Sequence, residues 1–482
     1  MPLFKKGDVS EPKNYCPVAL LSVISKIMER VIFNQIISYL EDNMILNPSH
    51  HGFRSRHSTC TALLQMQDLW LDALDKNEIT AVIMCDMSAA FDLVNHSILL
   101  EKLALYGFQE SALSWIRSYL SSRSQRVLVD GCLSDSMNLN TGVPQGSILG
   151  PLLYICFTND MPECVHSDHA EIEQPLDANR NDKLYNLHCV ACGSICCYAD
   201  DSTYSKSSHS ARLLTQEINM KYQEIVEYMN SNKFVIDTEK THLLVMCSKY
   251  SHSKHGTHGV CLNTGSEIIQ PVEHEKLLGG YISQDFSWNY HLRDNNKSLF
   301  QILVSRVNVL SKISSFASFK TRKMIANGIF MSSLVYLIQV WGFGCTDYLT
   351  KSLQILQNRA ARSVTGLDLF TPVKKLLQQC GWLSINQLVY YHTLVLVFRV
   401  KSERKPQYFS DKINIDFSRL TRLATSEGIR RQEKNRCSAG QRRFLVQGIQ
   451  MWNDLPVRIR KCKNIVSFKM KMKIWILQNL SV

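Results

Sequence analysis

The chain has 482 residues, 45% hydrophobic and 20% charged, with a formal net charge of +12. That length exceeds one core and calls for two or three domains, and that composition excludes a disordered or fibrous chain. Residues 401–482 carry 19 Lys/Arg against 6 Asp/Glu, so the first 400 residues are close to neutral. A neutral body with a basic end fits a polyanionic partner, most simply nucleic acid, although a solvated basic surface has the same composition.

The 16 cysteines form no regular framework, and Met1-Pro2-Leu3-Phe4-Lys5-Lys6 lacks the apolar run of a secretory leader. A reducing intracellular compartment is expected, with cysteines as small apolar fillers. Cys189-x-x-Cys192 followed by Cys196 and Cys197 lacks the paired spacing of a structural zinc site. Residues 324–346 contain no charged side chain, but their Asn, Ser, Gln and Gly content predicts a buried helix rather than a membrane span.

From residue 20 to 40, Leu20, Val23, Ile24, Ile27, Met28, Val31, Ile32 and Ile36 recur at helical spacing. His51-Gly52-Phe53-Arg54-Ser55-Arg56-His57-Ser58-Thr59 is a basic turn; Ser58 or Thr59 is placed to cap the helix that follows through Leu74. Arg54 and Arg56 are candidate phosphate ligands in that turn. Residues 79–85 are nearly all apolar, which predicts a strand buried on both faces, delivering Asp86 at its C-terminal end. Helices are expected over 97–106, stopped at Gly107, and over 111–121.

Thr141-Gly142-Val143-Pro144-Gln145-Gly146-Ser147 is a tight loop whose glycines let the backbone approach a ligand, and the apolar residues 148–157 after it read as a helix. Residues 162–192 are polar and patternless, a long loop or insertion. Next, Cys196-Cys197-Tyr198-Ala199-Asp200-Asp201-Ser202-Thr203 reads as a hairpin with two acids at its turn. An Asp-Asp pair is a common turn feature, but Asp86 supplies a third carboxylate at another strand end.

An amphipathic helix is expected over 211–230, then two strands, 233–237 and 242–246, with Lys240 between them. Residues 250–258 form a Ser/His-rich solvated loop, and 276–282 a glycine-marked strand. Helical patterns fill 289–365, with Gly366 as a stop, and 372–400. In the basic tail Tyr408, Phe409, Phe417, Phe444, Trp452 and Trp475 are interleaved with cations, a pattern shared by base-stacking surfaces and by ordinary cores.

Taken in order, the basic loop, the strand ending in Asp86, the Gly-Val-Pro-Gln-Gly-Ser loop, the Tyr-Ala-Asp-Asp turn, the lone Lys240 and the Leu278-Gly279 strand resemble the reverse transcriptase of non-LTR, LINE-type retrotransposons. The resemblance runs from about Lys5 to Ile282. It continues more loosely through Leu356-Gln357-Asn358-Arg359-Ala360-Ala361-Arg362 and Trp452-Asn453-Asp454-Leu455-Pro456. It implies an α/β (α+β) right-hand polymerase: fingers and palm over 1–285, a helical thumb over 286–370, and a helical, basic C-terminal region over 371–482 as a nucleic-acid-binding candidate.

The implied activity is RNA-directed DNA synthesis, by attack of a DNA primer 3′-hydroxyl on a deoxynucleoside triphosphate along an RNA template. Such chemistry needs positioning and charge stabilisation more than covalent catalysis, and two Mg²⁺ ions, with Mn²⁺ as a substitute, suit a few carboxylates plus substrate phosphates. By position in the motifs, Asp86 and Asp200 would bridge the ions, Asp201 would stand beside them, and the Met87 carbonyl would add a ligand. Phe91 would lie under the sugar and exclude a 2′-hydroxyl. Gln145 would line the nucleotide, Arg54 hold the triphosphate, Lys240 protonate pyrophosphate, and Leu278 and Gly279 grip the primer.

The sequence departs from the family at Cys16, where an Arg is usual, and at Ala89, where a Lys is usual. Both changes remove positive charge near the expected substrate path, and with the long 162–192 stretch they leave open a degenerate or domesticated nucleic-acid-binding remnant. The resemblance implies a nuclear or cytoplasmic ribonucleoprotein with no transmembrane segment, and no target-nicking endonuclease is expected from these residues.

Overall fold

The computed structural model describes residues 2–4, 7–11, 14–87, 90–129, 131–165, 193–248, 259–413, 427–430, 437, 438 and 440–480. Cys189 and Cys192, Ala89, Phe417, most of the polar 162–192 stretch and the whole Ser/His-rich loop lie outside them.

The principal elements begin with helices α1 (Val23–Asp42) and α2 (Thr59–Asp75), strand β1 (Ile79–Met87), and helices α3 (His96–Leu105), α4 (Glu110–Leu120) and α5 (Gly150–Thr158). The hairpin β2 (Ser194–Tyr198) and β3 (Asp201–Ser208) follows, then α6 (Ala211–Ser231), β4 (Ile236–Met246) and β5 (Pro271–Val272). These strands form one five-stranded sheet in the order β5-β4-β1-β3-β2, antiparallel except for the β4–β5 pair.

Strand β1 reads as a continuous apolar run because both of its faces are covered. Ile79, Ala81, Ile83 and Cys85 join a core with Leu99, Leu103, Leu152, Phe157 and Tyr222 from α3, α5 and α6. Val82 and Met84 join the opposite core, with Leu63, Leu64 and Trp70 of α2. Neighbouring residues of a strand point to opposite faces, so the sheet separates the two cores.

The second core continues without a break into the C-terminal helices. A hairpin of β6 (His274–Leu277) and β7 (Gly280–Ser283) leads to α7 (Leu299–Ile313), α8 (Asp347–Thr365), α9 (Ile385–Glu403), α10 (Phe444–Asp454) and α11 (Ile465–Asn479). Leu303, Trp341, Leu356, Val397, Trp452 and Phe468 all belong to the core that holds Trp70. The aromatics Tyr408, Phe409, Phe444 and Trp452 are buried in it.

Several expectations change in detail. The two strands predicted around Lys240 are one strand, β4, with a register shift between Asp237 and His242. The glycine-marked strand is a tight hairpin, because Leu278 (φ +48°) and Gly279 (φ +84°) both adopt the left-handed conformation that a two-residue turn needs. Two short hairpins, Arg123–Gln125 with Met137–Leu139 and Leu128–Val129 with Cys132–Leu133, lie where no regular element was predicted; their strands are mostly exposed and too short to show alternation. The uncharged stretch 324–346 is not one helix: it is broken at Leu337, which has φ +55°, while Phe330, Leu334, Ile338 and Trp341 are buried. Among the described residues no single helix is long and apolar enough to cross a membrane; the bent pair Phe319–Val335 and Ile338–Gly344 meets that measure only jointly.

Two contacts hold α2 and the turn before it in place. The first is with the sheet edge. His51 donates its backbone N–H to the Cys197 carbonyl (2.8 Å), and Cys197 donates to the Ser49 carbonyl (2.9 Å). The chain approaches so closely that a Cβ on Gly52 would lie 2.5 Å from the Ala199 nitrogen, backbone against backbone. Gly52→Ala is therefore expected to push the β2–β3 turn away, at a cost of about 1–3 kcal/mol. Hydrogen exchange should quicken at His51 and Cys197; unchanged exchange there would contradict the contact.

The second contact is with the basic tail. Asp68 of α2 has no exposed side-chain surface, and its carboxylate accepts from Arg443 (2.9 and 3.0 Å) and Tyr408 (2.6 Å), with Lys412 at 3.5 Å. Burial alone would raise the Asp68 pKa, but the Arg443 and Lys412 charges and these hydrogen bonds hold it below the ordinary value. Arg443 also pairs with Asp72, Lys405 with Glu41 (2.6 Å), and Arg56 with Glu403 (2.7 Å).

Arg443→Met leaves the buried carboxylate short of its main cation and should destabilise the fold by about 3–5 kcal/mol at neutral pH. A depressed folded pKa contributes stability above the unfolded value of about 4 and loses it as pH falls through the depressed one. The gap between Arg443→Met and the parent chain should therefore narrow on acidification, as read from denaturant unfolding at several pH values. A gap independent of pH would refute this account of Asp68.

Candidate active site

Strand register brings the acids together. Asp86 on β1 stands opposite Asp201 on β3 and opposite Asp237 on β4. Directly opposed residues share a sheet face with their Cβ atoms about 4.5–5.5 Å apart. Asp237, Asp86 and Asp201 thus make a row across three adjacent strands. Asp200 joins it from the two-residue turn Ala199-Asp200, where Ala199 is held at φ +56°.

Like charges placed opposite one another repel, and the effect is visible at Asp201. Surrounding protein, then the Asp200 and Asp86 charges, push its carboxyl up to about 6, although the residue keeps much of its surface open to solvent. The same acids, after burial, keep the Tyr154 hydroxyl protonated well above its usual range.

A cation, Lys240 from the irregular part of β4, lies against the row. Its ammonium lies 3.0 Å from Asp86 and also pairs with Asp237. The Asp237 hydrogen bond first, and then Asp86, hold Lys240 above its ordinary value. Asp237 was not singled out from the sequence. Its only signal was its spacing of three from Lys240, and that spacing acquires meaning only once the bulge turns the lysine back along the strand.

Among the described residues no group of three or more His, Cys, Asp or Glu side chains is arranged to chelate a metal ion by itself. The donor set nevertheless suits a hard divalent cation. It consists of carboxylate oxygens that repel one another, and such ions commonly take one or two protein carboxylates and complete their shell from substrate phosphates and water. Met87 is packed with its side chain buried, in register with Ile236, and its sulfur receives the Tyr154 hydroxyl at 3.6 Å.

Phe91 is half-buried beside the row. It stacks on Tyr154 (4.6 Å, 19° between planes) and meets the edge of Phe53 (5.9 Å). The Gly-Val-Pro-Gln-Gly-Ser loop docks onto the segment after Phe91: Val143 donates to the Phe91 carbonyl and Gly142 to the Val94 carbonyl, both at 2.8 Å. A Cβ on Gly142 would meet the Asp92 carbonyl oxygen at 2.7 Å, so the glycine is required there both by space and by its φ of +87°. Gln145 reaches both Asp92 carboxylate oxygens at 3.0 Å. Buried Glu29 of α1, also missed in the sequence, accepts from the Ile148 (2.6 Å) and Leu149 (3.3 Å) amides and fixes the loop from below.

Arg54 is placed differently from the other candidates. Its side chain is 8% exposed and bonds Glu41 (3.3 Å) and the Asn47 (2.8 Å) and His50 (3.2 Å) carbonyls, so here it ties the turn to α1 rather than facing solvent. Arg56, two residues on, is about half exposed and pairs with Glu403 (2.7 Å). Leu278 and Gly279 form the β6–β7 turn, and the Tyr336 hydroxyl donates to the Leu278 carbonyl (2.8 Å). The turn borders a cleft of about 880 Å³ that Lys276, Lys297 and Arg306 also line, none with an ion-pair partner among the described residues.

The family model for reverse transcriptase (RNA-dependent DNA polymerase) matches residues 4–279, which takes in the acids, Arg54, Phe91, Gln145, Lys240 and the Leu278-Gly279 turn. The RNA-directed DNA polymerase from mobile element jockey of Drosophila melanogaster is 30% identical over 73% of this chain and 36% of its own length. The probable RNA-directed DNA polymerase from transposon BS of the same species is 27% identical over 81% of this chain and 40% of its own. The chain thus spans well under half the length of these curated relatives. A solved telomerase from Candida tropicalis, bound to a fragment of telomeric RNA, aligns over 74% of this chain and 56% of its own with 13% identity and a TM-score of 0.39, too loose a likeness to bear on function. The match covers more than half the chain and holds the acidic strand end, the Gln145 loop and the Asp-Asp turn in their expected order: the chain belongs to the reverse transcriptase family.

Proposed function

We propose that the chain is the RNA-directed DNA polymerase part of a non-LTR retrotransposon protein, extending a DNA 3′-hydroxyl on an RNA template. The observation that carries this reading is the row of carboxylates that strand register assembles from segments far apart in sequence. We read residues 1–285 as fingers and palm, 286–370 as thumb and 371–482 as a basic C-terminal region that lies on the fingers. The cleft beside Leu278 and Gly279, with its three cations, is the path we assign to the primer and template.

Asp86 and Asp200 are the proposed holders of two Mg²⁺ ions, for which Mn²⁺ could substitute, with Asp201 and the Met87 carbonyl beside them. Such ions, when bound, make the primer oxygen a better nucleophile and offset charge on the leaving pyrophosphate. The remaining work falls to the chain's own groups, and it is mostly positioning. The Phe91 ring, fixed by its stack on Tyr154, is set to lie against the sugar and leave no room for a 2′-hydroxyl. The Gln145 loop, held by Glu29 and by the Phe91 carbonyl, forms the adjoining wall. Lys240, already at Asp86, is placed to pass a proton to the departing pyrophosphate. Arg54 would support this pocket from behind the turn, and Arg56 is the better placed of the two to meet a phosphate.

Primer extension with Mg²⁺ on an RNA template is the direct test. Asp200→Asn should remove several kcal/mol of charge stabilisation, on the order of a thousandfold in rate, while RNA binding persists. If the parent chain binds RNA but does not extend a primer, the reading becomes that of a nucleic-acid-binding remnant. Phe91→Ala should raise ribonucleotide incorporation about tenfold or more relative to deoxynucleotides. Unchanged sugar selectivity would remove that role from Phe91.

A further inference from the structure

A second basic opening lies between the first turn of α2 and the C-terminal helices α9 and α11. It is a cavity of about 280 Å³, near the lower bound of about 300 Å³ for pockets that hold small organic ligands. Its polar wall holds Arg399 and His392 of α9, Lys469 of α11 and the α2 cap Ser58, while Leu396 and Val395 make its apolar floor. Neither Arg399 nor Lys469 has an ion-pair partner among the described residues, in contrast to Lys405, Lys412 and Arg443, which are neutralised by acids at positions 41, 68 and 72. Burial, and the nearby Lys469 charge, hold His392 down at about 4, so at neutral pH it is an uncharged hydrogen-bonding group.

Tyr391 lies on the same wall, edge-on to His392 with ring centroids 5.4 Å apart. Two free cations beside an aromatic ring, over an apolar floor, form the combination that takes the phosphate of a single-stranded nucleic acid and a base or sugar next to it. The location favours a polynucleotide over a free phosphate. Thr59, which neighbours both Ser58 and Cys60 of the pocket wall, contacts the Tyr336 hydroxyl (3.3 Å), and that hydroxyl bonds Leu278 at the edge of the larger cleft. Tyr336 thus joins the border of the larger cleft to the wall of this pocket.

We propose that the cavity between α2, α9 and α11 is a second nucleic-acid subsite, in which Arg399 and Lys469 bind a backbone phosphodiester of a single strand outside the polymerase centre. This deepens the polymerase reading and rests on it only for which strand arrives, since the pocket's chemistry is independent of the acids. It also gives part of the C-terminal charge a specific place of action.

The test uses the full chain and a fluorescent single-stranded RNA, with binding measured by anisotropy at several salt concentrations. Each phosphate contact on a single strand contributes about 0.7 to the slope of log affinity against log salt. The pair Arg399→Gln and Lys469→Gln should flatten that slope by about 0.7 to 1.4 and weaken binding about tenfold or more at low salt. Arg399→Lys with Lys469→Arg should restore most of both, which separates charge from folding, and the melting temperature checks folding directly. An unchanged slope in the Gln pair overturns the proposal. So does a pocket that binds inorganic phosphate through these residues while RNA affinity stays as in the parent. Asp200→Asn should leave both slope and affinity in place. Failure of the parent chain to extend a primer, with the slope still dependent on Arg399 and Lys469, would overturn the polymerase reading and leave the subsite standing.

Discussion

Everything at the centre of this molecule depends on a repulsion that the sheet enforces. Asp237, Asp86 and Asp201 occupy opposed positions on three antiparallel strands, where the backbone ladder sets their spacing and their side chains cannot move apart without breaking it. The cost is tolerable because the rest of β1, the central one of the three, is buried on both faces: Ile79, Ala81, Val82 and Ile83 have no exposed surface. At about 25 cal/mol per Å² of apolar surface, that burial outweighs like-charge terms of a few tenths to one kcal/mol per pair. The elements that force the acids together are thus the ones most expensive to rearrange. Lys240 relieves part of the repulsion from the side, and Asp237 holds that lysine in reach of Asp86.

The row would be useless if the hairpin turn that brings Asp200 were loose. Ala199 occupies a left-handed conformation that costs an L-residue roughly 1–2 kcal/mol, and the turn is braced by the Ser49–His51 segment bonded along Cys197. That brace is itself anchored to α2, because His51 lies between Thr61 and Gln65, at 3.3 and 3.0 Å. Helix α2 in turn carries Asp68, the buried carboxylate that Arg443, Lys412 and Tyr408 close over. A continuous series of contacts therefore links the acidic turn, the basic turn, α2 and residues some 370 positions downstream. Changes in the tail can reach the acids through packing as well as through charge.

What could be read beforehand follows from which signals are local. Strand β1, helix α2 with its Ser58 cap, and the acidic hairpin all come from contiguous patterns of apolar residues and turn formers, and the structure places them within a residue or two of expectation. Long-range pairing was less visible. Nothing in residues 233–246 announces a single bulged strand, so Asp237 went unnoticed until register set it opposite Asp86. Arg54 looked like an exposed finger cation because its partners, Glu41 and the Asn47 and His50 carbonyls, become neighbours only when the turn folds onto α1. In α1 the pattern itself misled: Val23, Ile24, Ile27, Met28 and Val31 keep helical spacing yet are exposed, so an apolar stripe marks the helix without saying what covers it.

The basic C-terminal region shows why net charge is a poor guide to binding until the partners of each cation are known. Counted in sequence, its excess of Lys and Arg is one undivided reservoir. In the folded chain Lys405, Lys412 and Arg443 are committed to Glu41, Asp68 and Asp72, acids of α1 and α2. A buried pair of this kind contributes more through the penalty of breaking it than through the attraction it supplies, so these three act as fasteners. Arg399 and Lys469 at the smaller cavity, and Lys276, Lys297 and Arg306 along the larger cleft, have no ion-pair partner among the described residues. Because counterion release counts only cations that reach a phosphate, the salt dependence of binding should scale with the cations that make such contacts and not with the formal charge of the region.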